Sequence, residues 1–428
     1  EACMDYPLFL VPYVGGSWLI GANAILHVVI AHFAIGGGIL LAVTEQRAAR
    51  RQDAFRLGFA RRLSVFLVLL STVLGALTGV GIWFTIGLVQ PAATSFLIRT
   101  FVWGWAIEWV FFIVEIAAAL LYVATWDTAS RRTHLAIGWI YAGAAYGSLA
   151  VINGIITFML TPGRWPETGS FWDAFLNPTY GPSLTLRTGA ALTLAAAVGL
   201  VVAGRTGQPA ERRGLVRGLA GWGLAGAGLC LAGGLWWQAR IPAEARALFA
   251  AADGLLRGTA TLAAGALALL ALVMLAVLAA PRAGGVAIGL LALALAAAHL
   301  GAYERVREGS RKPFVIAGYM YSNGIRVDEV EARNAAGLLA KARWAGLDRR
   351  PVPAGEQVFR AQCQACHSLD GYLAIRPLVA GQDAEGLAGL LEALRGGRPG
   401  MPPVVGTEAE VRQLATYLAE LGAGGGGR

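Results

Sequence analysis

A handful of residues carry most of the chemistry in this chain. Cys363-Gln364-Ala365-Cys366-His367 places two thiols three positions apart, with an imidazole directly after the second. Thiols at that spacing can add to the two vinyl groups of one porphyrin while the adjacent His reaches the iron, so the run is the C-x-x-C-H attachment sequence of c-type haem. Zinc would need a second Cys pair, and the four cysteines do not offer one. A thioredoxin-like C-x-x-C would need a surrounding βαβ pattern, which is absent. Elsewhere, His27, His32, His299, Glu108 and Glu115 stand inside long apolar stretches. Ionisable groups are costly in lipid, so each of them is a candidate for function.

The elements that must hold these residues follow from composition. A length of 428 residues suggests two or three domains. Charged residues are 14% of the chain, against roughly 25% in soluble proteins. Hydrophobic residues make up 56% and the mean hydropathy is +0.58. Those values exclude a water-soluble enzyme of this length and a disordered chain. Crossing a bilayer takes about 20 apolar residues. Eight stretches qualify, at 18–43, 65–88, 102–124, 135–160, 185–204, 216–238, 255–279 and 285–303. The expected fold is therefore an all-α polytopic membrane bundle with a small helical module at its C-terminus.

Arginine sets the expected orientation. The loops after spans one, three, five and seven hold thirteen arginines, and those after spans two, four and six hold six. The positive-inside bias makes the first set cytoplasmic, so both termini lie outside. Haem c is attached outside the cytoplasm, which places the C-terminus on the same side. No removable signal peptide is read ahead of span one. The net charge of +9 comes almost wholly from arginine, with Lys only at 312 and 341. Lipid headgroups and loop orientation explain that charge, so no nucleic-acid partner is expected.

Composition changes near 304, where Glu304 to Pro313 becomes charged. The expected organisation is a haem-binding membrane domain over 1–303, a periplasmic linker over 304–353 and a cytochrome c domain over 354–428. The linker should carry a short amphipathic helix near 328–344, and the glycines at 424–427 read as a flexible tail.

Within the spans, His27 and His32 are five residues apart, about 140° round a helix, and face different neighbours. The glycines at 36–38 should let a bulky group approach, which favours His27 as a haem ligand. His32 and His299 are further candidate ligands, with interhelical hydrogen bonding as the alternative. His134, next to Arg131-Arg132, reads as a solvated interface residue. Glu108 and Glu115, seven apart, share one helix face and suit a proton relay. Asn153 and Arg187 could meet haem propionates near the outer surface.

Two resemblances add to this reading. Thirty-four residues after His367 lies Gly400-Met401-Pro402-Pro403, followed by the amphipathic stretch Glu408–Leu421. Over 354–422 this resembles class I cytochrome c, which implies His367 and Met401 as axial ligands. In the bundle, Ala42-Val43-Thr44-Glu45, Gly75-Ala76-Leu77-Thr78-Gly79, Trp83-Phe84-Thr85-Ile86-Gly87, Ala106-Ile107-Glu108, Phe112-Ile113-Val114-Glu115 and Trp126-Asp127 resemble subunit I of cytochrome bd quinol oxidases in order and spacing. So do Leu149–Pro162, Asn177-Pro178, and Glu308 ahead of Arg311-Lys312-Pro313-Phe314. The resemblance implies that His27, eighteen before Glu45, ligates the active-site haem. Glu108 and Glu115 match acids beside the oxygen site and proton path. Glu308 matches a haem-ligating Glu, with Glu304 competing. The chain also departs from the family. Arg187 or an apolar neighbour stands where the low-spin haem b has its first ligand. No Met stands at the outer end of span seven, and the quinol-binding loop shrinks to 239–254.

The function expected is electron transfer in a bacterial inner membrane, between one covalent haem c on the periplasmic side and one or more haems b. Oxygen reduction at a bd-like site is one form of it. A relay between quinone and cytochrome c and a structural anchor for haem c are the alternatives. Haem d is disfavoured but left open. Expected partners are a periplasmic electron donor or acceptor, other membrane subunits, the lipid bilayer and, optionally, quinone.

Overall fold

The computed structural model describes residues 7–9, 13–207, 209–250 and 254–424. The tail expected at 424–427 lies outside the described residues from 425 on. Among the described residues, eight helices are long and apolar enough to cross a membrane, in agreement with the eight stretches read from sequence. They are α1 (Gly16–Arg51), α2 (Ala54–Val89), α3 (Val102–Ala124), α4 (Arg131–Phe158), α5 (Tyr180–Gly204), α6 (Pro209–Arg240), α7 (Leu255–Ala279) and α8 (Val286–Gly309). The chain divides into two compact units. One comprises Ile25–Gly79 and Phe101–Ser310, the other Glu1–Ala24, Val80–Thr100 and Arg311–Arg428.

In the larger unit α5 is the central helix, with 78% of its apolar window buried, whereas α2 and α3 bury only 17% of theirs. Small residues explain how the helices reach α5. A side chain at Gly36 would meet the carbonyl oxygen of Ala191 at 1.9 Å, so α1 and α5 touch backbone to backbone. Gly189 and Gly226 do the same between α5 and α6, and Gly289 between α8 and α5. Close approach of this kind replaces the hydrophobic drive that helices lack in lipid. The glycines at 36–38 therefore serve differently from the expectation. Gly36 is covered by Ala191, Gly37 by Leu67 and Gly38 by Tyr141, so helices fill that face and leave it closed to a bulky group.

Two features were not anticipated. Leu70–Gly75 forms a π-helical turn within α2, a rare arrangement often found at functional sites. And α8 continues to Gly309, so the charged run Glu304–Glu308 forms its last turns.

In the smaller unit, β1 (Phe314–Ile316) and β2 (Met320–Tyr321) pair antiparallel. The amphipathic helix expected at 328–344 is shorter: Val330–Ala336 is α-helical and single 3₁₀ turns flank it. The C-terminal module packs α9 (Ala354–Gln362) and α10 (Ala384–Ala393) against α11 (Glu408–Ala423). Thr407 and Glu410 form a reciprocal capping box at the start of α11, which the T-x-x-E spacing dictates. The Glu410 carboxylate also accepts the backbone N–H groups of Leu338 and Leu339, each at 2.9 Å, tying the preceding segment to the module.

Candidate functional site

The motif Cys363–His367 begins where α9 ends, with Cys363 as its C-cap residue. Both thiols are free, and burial pushes that of Cys363 up to about 12. The Nδ1–H of His367 donates to the carbonyl of Leu373 at 2.9 Å. That bond fixes the tautomer and leaves Nε2 as the nitrogen with a lone pair, as an iron ligand requires. Leu373 holds its carbonyl there at φ 51°, a left-handed backbone that a Leu adopts only under constraint. Met401 sits in a tight turn closed by its N–H to the carbonyl of Arg398 at 3.1 Å, with Gly400 at φ 84°.

The three histidines of the spans repeat this arrangement. His32, almost wholly buried, directs Nδ1–H to the carbonyl of Val28 at 2.8 Å, and its Nε2 has no partner. His299 directs Nδ1–H to the carbonyl of Ala263 at 2.9 Å, and its Nε2 is likewise buried and unpartnered. His27 lies 3.0 Å from Thr78 Oγ1, whose own hydrogen goes to the carbonyl of Leu74 at 2.6 Å. The hydroxyl must therefore accept, so His27 Nδ1 carries the hydrogen and Nε2 is again the free nitrogen. Thr78 stands three residues beyond the end of the π-helical turn, and Gly79 leaves room for the ring, since a side chain there would meet His27 Cε1 at 3.2 Å.

His134 is the exception among the five. It is 1% exposed, not solvated as its arginine neighbours suggested. Its Nδ1 lies 2.7 Å from Glu45 Oε1 and its Nε2 2.8 Å from the carbonyl of Tyr122, so no nitrogen remains for a metal. Glu45 also accepts from Tyr122 OH at 2.6 Å and from Arg131 at 2.7 Å. Trp126 stacks edge-on to the His134 ring, and Arg61 pairs with Asp127. Glu45 thus anchors a buried polar cluster that Trp126 helps to cover, whereas Asp127 pairs with Arg61 in an exposed position.

A cavity of about 420 Å³ lies among α5, α6, α7 and α8. His299 and Tyr303 form part of its wall, with Leu186, Ala227, Cys230 and Trp237 opposite or beside them. The lining is apolar, and Trp237 Nε1–H is another buried group without a partner. An apolar slot with one imidazole in its wall suits the apolar body of a b-type haem.

Arg187 is fully buried but already paired. Its guanidinium lies 2.5 Å from Glu304 Oε1, Glu304 Oε2 accepts from Arg307 at 3.0 Å, and Arg187 Nε donates to Ser183 at 3.3 Å. Its charge is met inside the protein, which differs from a propionate contact at the surface. His32 lies within Coulombic reach of this pair. Glu308, one turn beyond Glu304, is half-buried beside Arg307. Asn153 donates to the carbonyl of Tyr180 at 2.9 Å, while its Oδ1 stays buried without a partner. On α3, Glu108 accepts from Ser148 Oγ at 3.0 Å. Glu115 is half-buried without a hydrogen bond among the described residues.

Sequence reading missed Glu45, Tyr122, Thr78 and Glu304 as partners. Only the motif order around Glu45 and Thr78 hinted at them.

Eight apolar helices, paired with a haem-attachment module, define a membrane-bound respiratory electron-transfer subunit. The chain belongs to the cytochrome bd terminal oxidase subunit I family, whose model matches residues 17–257. A second model, cytochrome c oxidase cbb3-type subunit III, matches residues 350–418. Among solved structures the fold is similar to bd oxidase from Geobacillus thermodenitrificans, with 17% identity and a TM-score of 0.64 over 72% of this chain and 88% of that one. No curated protein matches the chain. These families bring a covalent haem c and b-type haems, both of which the residues described here suit.

Proposed function

We propose that the subunit takes electrons from a periplasmic protein at haem c and passes them to b-type haem in a bacterial inner membrane, where dioxygen is reduced. Cys363 and Cys366 would hold haem c as thioethers, and His367 and Met401 would supply ligands to its iron. His27, His32 and His299 would hold iron in the bundle. When bound, these haems supply the one-electron carriers and the iron at which oxygen is reduced. The polypeptide supplies presentation: each imidazole is oriented by a hydrogen bond on Nδ1 and offers Nε2 alone. Glu108 and Glu115, on one face of α3, would move protons, with Ser148 Oγ orienting the Glu108 carboxylate. The faces of α2 and α3 left open by the bundle would meet lipid and other membrane subunits.

The observation that carries the reading is the shared state of four histidines, from which His134 departs. Among the residues lining the His299 cavity there is no second imidazole and no Met. That favours an iron with an open position over a relay with both axial places filled. A reduced-plus-CO difference spectrum of the purified protein, with pyridine haemochrome counts of b and c, tests it. A CO-induced shift in a b-type band is expected. Several haems b without CO binding would favour the quinone–cytochrome c relay, and absence of haem b would leave only an anchor.

A further inference from the structure

Three segments of the smaller unit converge on the loop that carries the haem-attachment residues. The carbonyl of Tyr13 accepts the backbone N–H of Tyr372 at 2.8 Å. Tyr13 holds that carbonyl at φ 65°, a left-handed backbone unfavourable for a side-chain-bearing residue. Ser17 Oγ donates to the carbonyl of Ala365, inside the C-x-x-C-H run, at 3.1 Å. Ser322 Oγ lies 3.7 Å from Cys366 Sγ, and the Ser322 carbonyl is itself held by Gln90 Nε2 at 2.9 Å.

Gly371 shows what this arrangement demands. A side chain at that position would stand 1.3 Å from the Tyr13 carbonyl oxygen, an impossible distance. Yet Gly371 is absent from the left-handed glycines, so the loop's own backbone accepts any residue there. Its N–H bond to Ser368 Oγ, at 2.9 Å, survives substitution as well. Glycine is required by the approach of Tyr13, not by the fold of the module.

We propose that the cytochrome c module works from a fixed seat, built by residues 13–17 and Ser322, and that Gly371 is the positioning residue that lets it close. The module is then no mobile carrier swinging on the segment that precedes α9. Its haem-attachment loop stays turned toward the first turn of α1, and a soluble partner protein must approach by another face. This holds whether the bundle is an oxidase or a relay, because it concerns only the seating of haem c.

Hydrogen exchange on the full-length, haem-loaded protein in nanodiscs tests the seat, read on peptides covering 368–375. In the parent protein the Tyr372 amide should exchange at least about tenfold more slowly than an open loop amide. Gly371→Val should abolish that protection while covalent haem content stays unchanged. It should also slow the first-order exchange of electrons between haem c and the membrane haems by roughly tenfold or more. Gly389→Ala, at an open position on α10, serves as control and should change neither readout. An unprotected Tyr372 amide in the parent protein overturns the proposal, even if the variant fails to take up haem. Lost protection with an unchanged electron-transfer rate overturns it too, since the seat would then serve nothing.

Discussion

Replacing His32 and His134 in turn by Leu separates a cofactor ligand from a structural imidazole, because the two make opposite demands on the polypeptide. His32 spends Nδ1–H on the Val28 carbonyl, four residues back in its own helix, and nothing on Nε2. That carbonyl already serves the helix, so His32→Leu forfeits a secondary hydrogen bond worth about 1 kcal/mol or less. His134 instead bridges Glu45 at 2.7 Å and the Tyr122 carbonyl at 2.8 Å, both buried. Its removal leaves a buried carboxylate short of one donor and a carbonyl with none. A hydrogen bond to a charged group contributes roughly 1.5–3 kcal/mol, and breaking one side of a buried ionic cluster costs about 3–5 kcal/mol. Arg131 and Tyr122 still hold Glu45, so we expect the lower part of that range.

The assay pairs thermal unfolding of haem-depleted protein in detergent with haem b content per polypeptide after reconstitution. His32→Leu should lose b-type haem while unfolding almost as the parent does. His134→Leu should unfold at markedly lower temperature and, where folded, keep its haem. His27→Leu and His299→Leu should behave like His32→Leu. The reasoning fails if His134→Leu loses haem b with stability intact, or if all three other variants retain the full complement.

Two further outcomes follow from packing and charge. Gly36→Ala forces α1 off the Ala191 backbone, which lies 1.9 Å from the added carbon, and should cost about 1–3 kcal/mol of stability in the same unfolding assay. Arg187→Met removes one of the two guanidinium partners of Glu304, Arg307 remaining at 3.0 Å, and should cost about 3 kcal/mol; a double-mutant cycle with Glu304→Met should show the two losses to be less than additive.

What could be read from sequence was whatever is local. C-x-x-C-H is contiguous, and each span declares itself by some twenty apolar residues in a row. What could not be read depends on partners far along the chain. His134 looked solvated because Arg131 and Arg132 precede it, but its acid lies 89 positions away on α1. The glycines at 36–38 could serve a ligand or a helix equally well, and only the position of Ala191 decides between them. Glu304 looked like the start of a linker because its neighbours are charged. It is buried because Arg187, on another helix, supplies the countercharge that lets α8 carry a carboxylate into the bundle.

That last pair bears on how the chain departs from its family. By resemblance, the first ligand of a low-spin haem b belongs near Arg187 on α5, and an arginine cannot supply it. The side chain turns to Glu304, while its neighbour Leu186 lines the 420 Å³ cavity. His299, on α8, lines the same cavity, and its Nε2 is buried without a hydrogen bond. His299 and Glu304 are five residues apart, about 140° round α8, so one turns to the cavity and the other to Arg187. On our reading these are two halves of one exchange. His299 on α8, not a residue of α5, would offer the imidazole, while Arg187 on α5 carries the cation that pairs with Glu304 in the bundle interior. With no second imidazole and no Met in the lining of that cavity, His299 would be the one protein ligand offered to an iron there, which suits a site that binds CO or oxygen better than a pure relay.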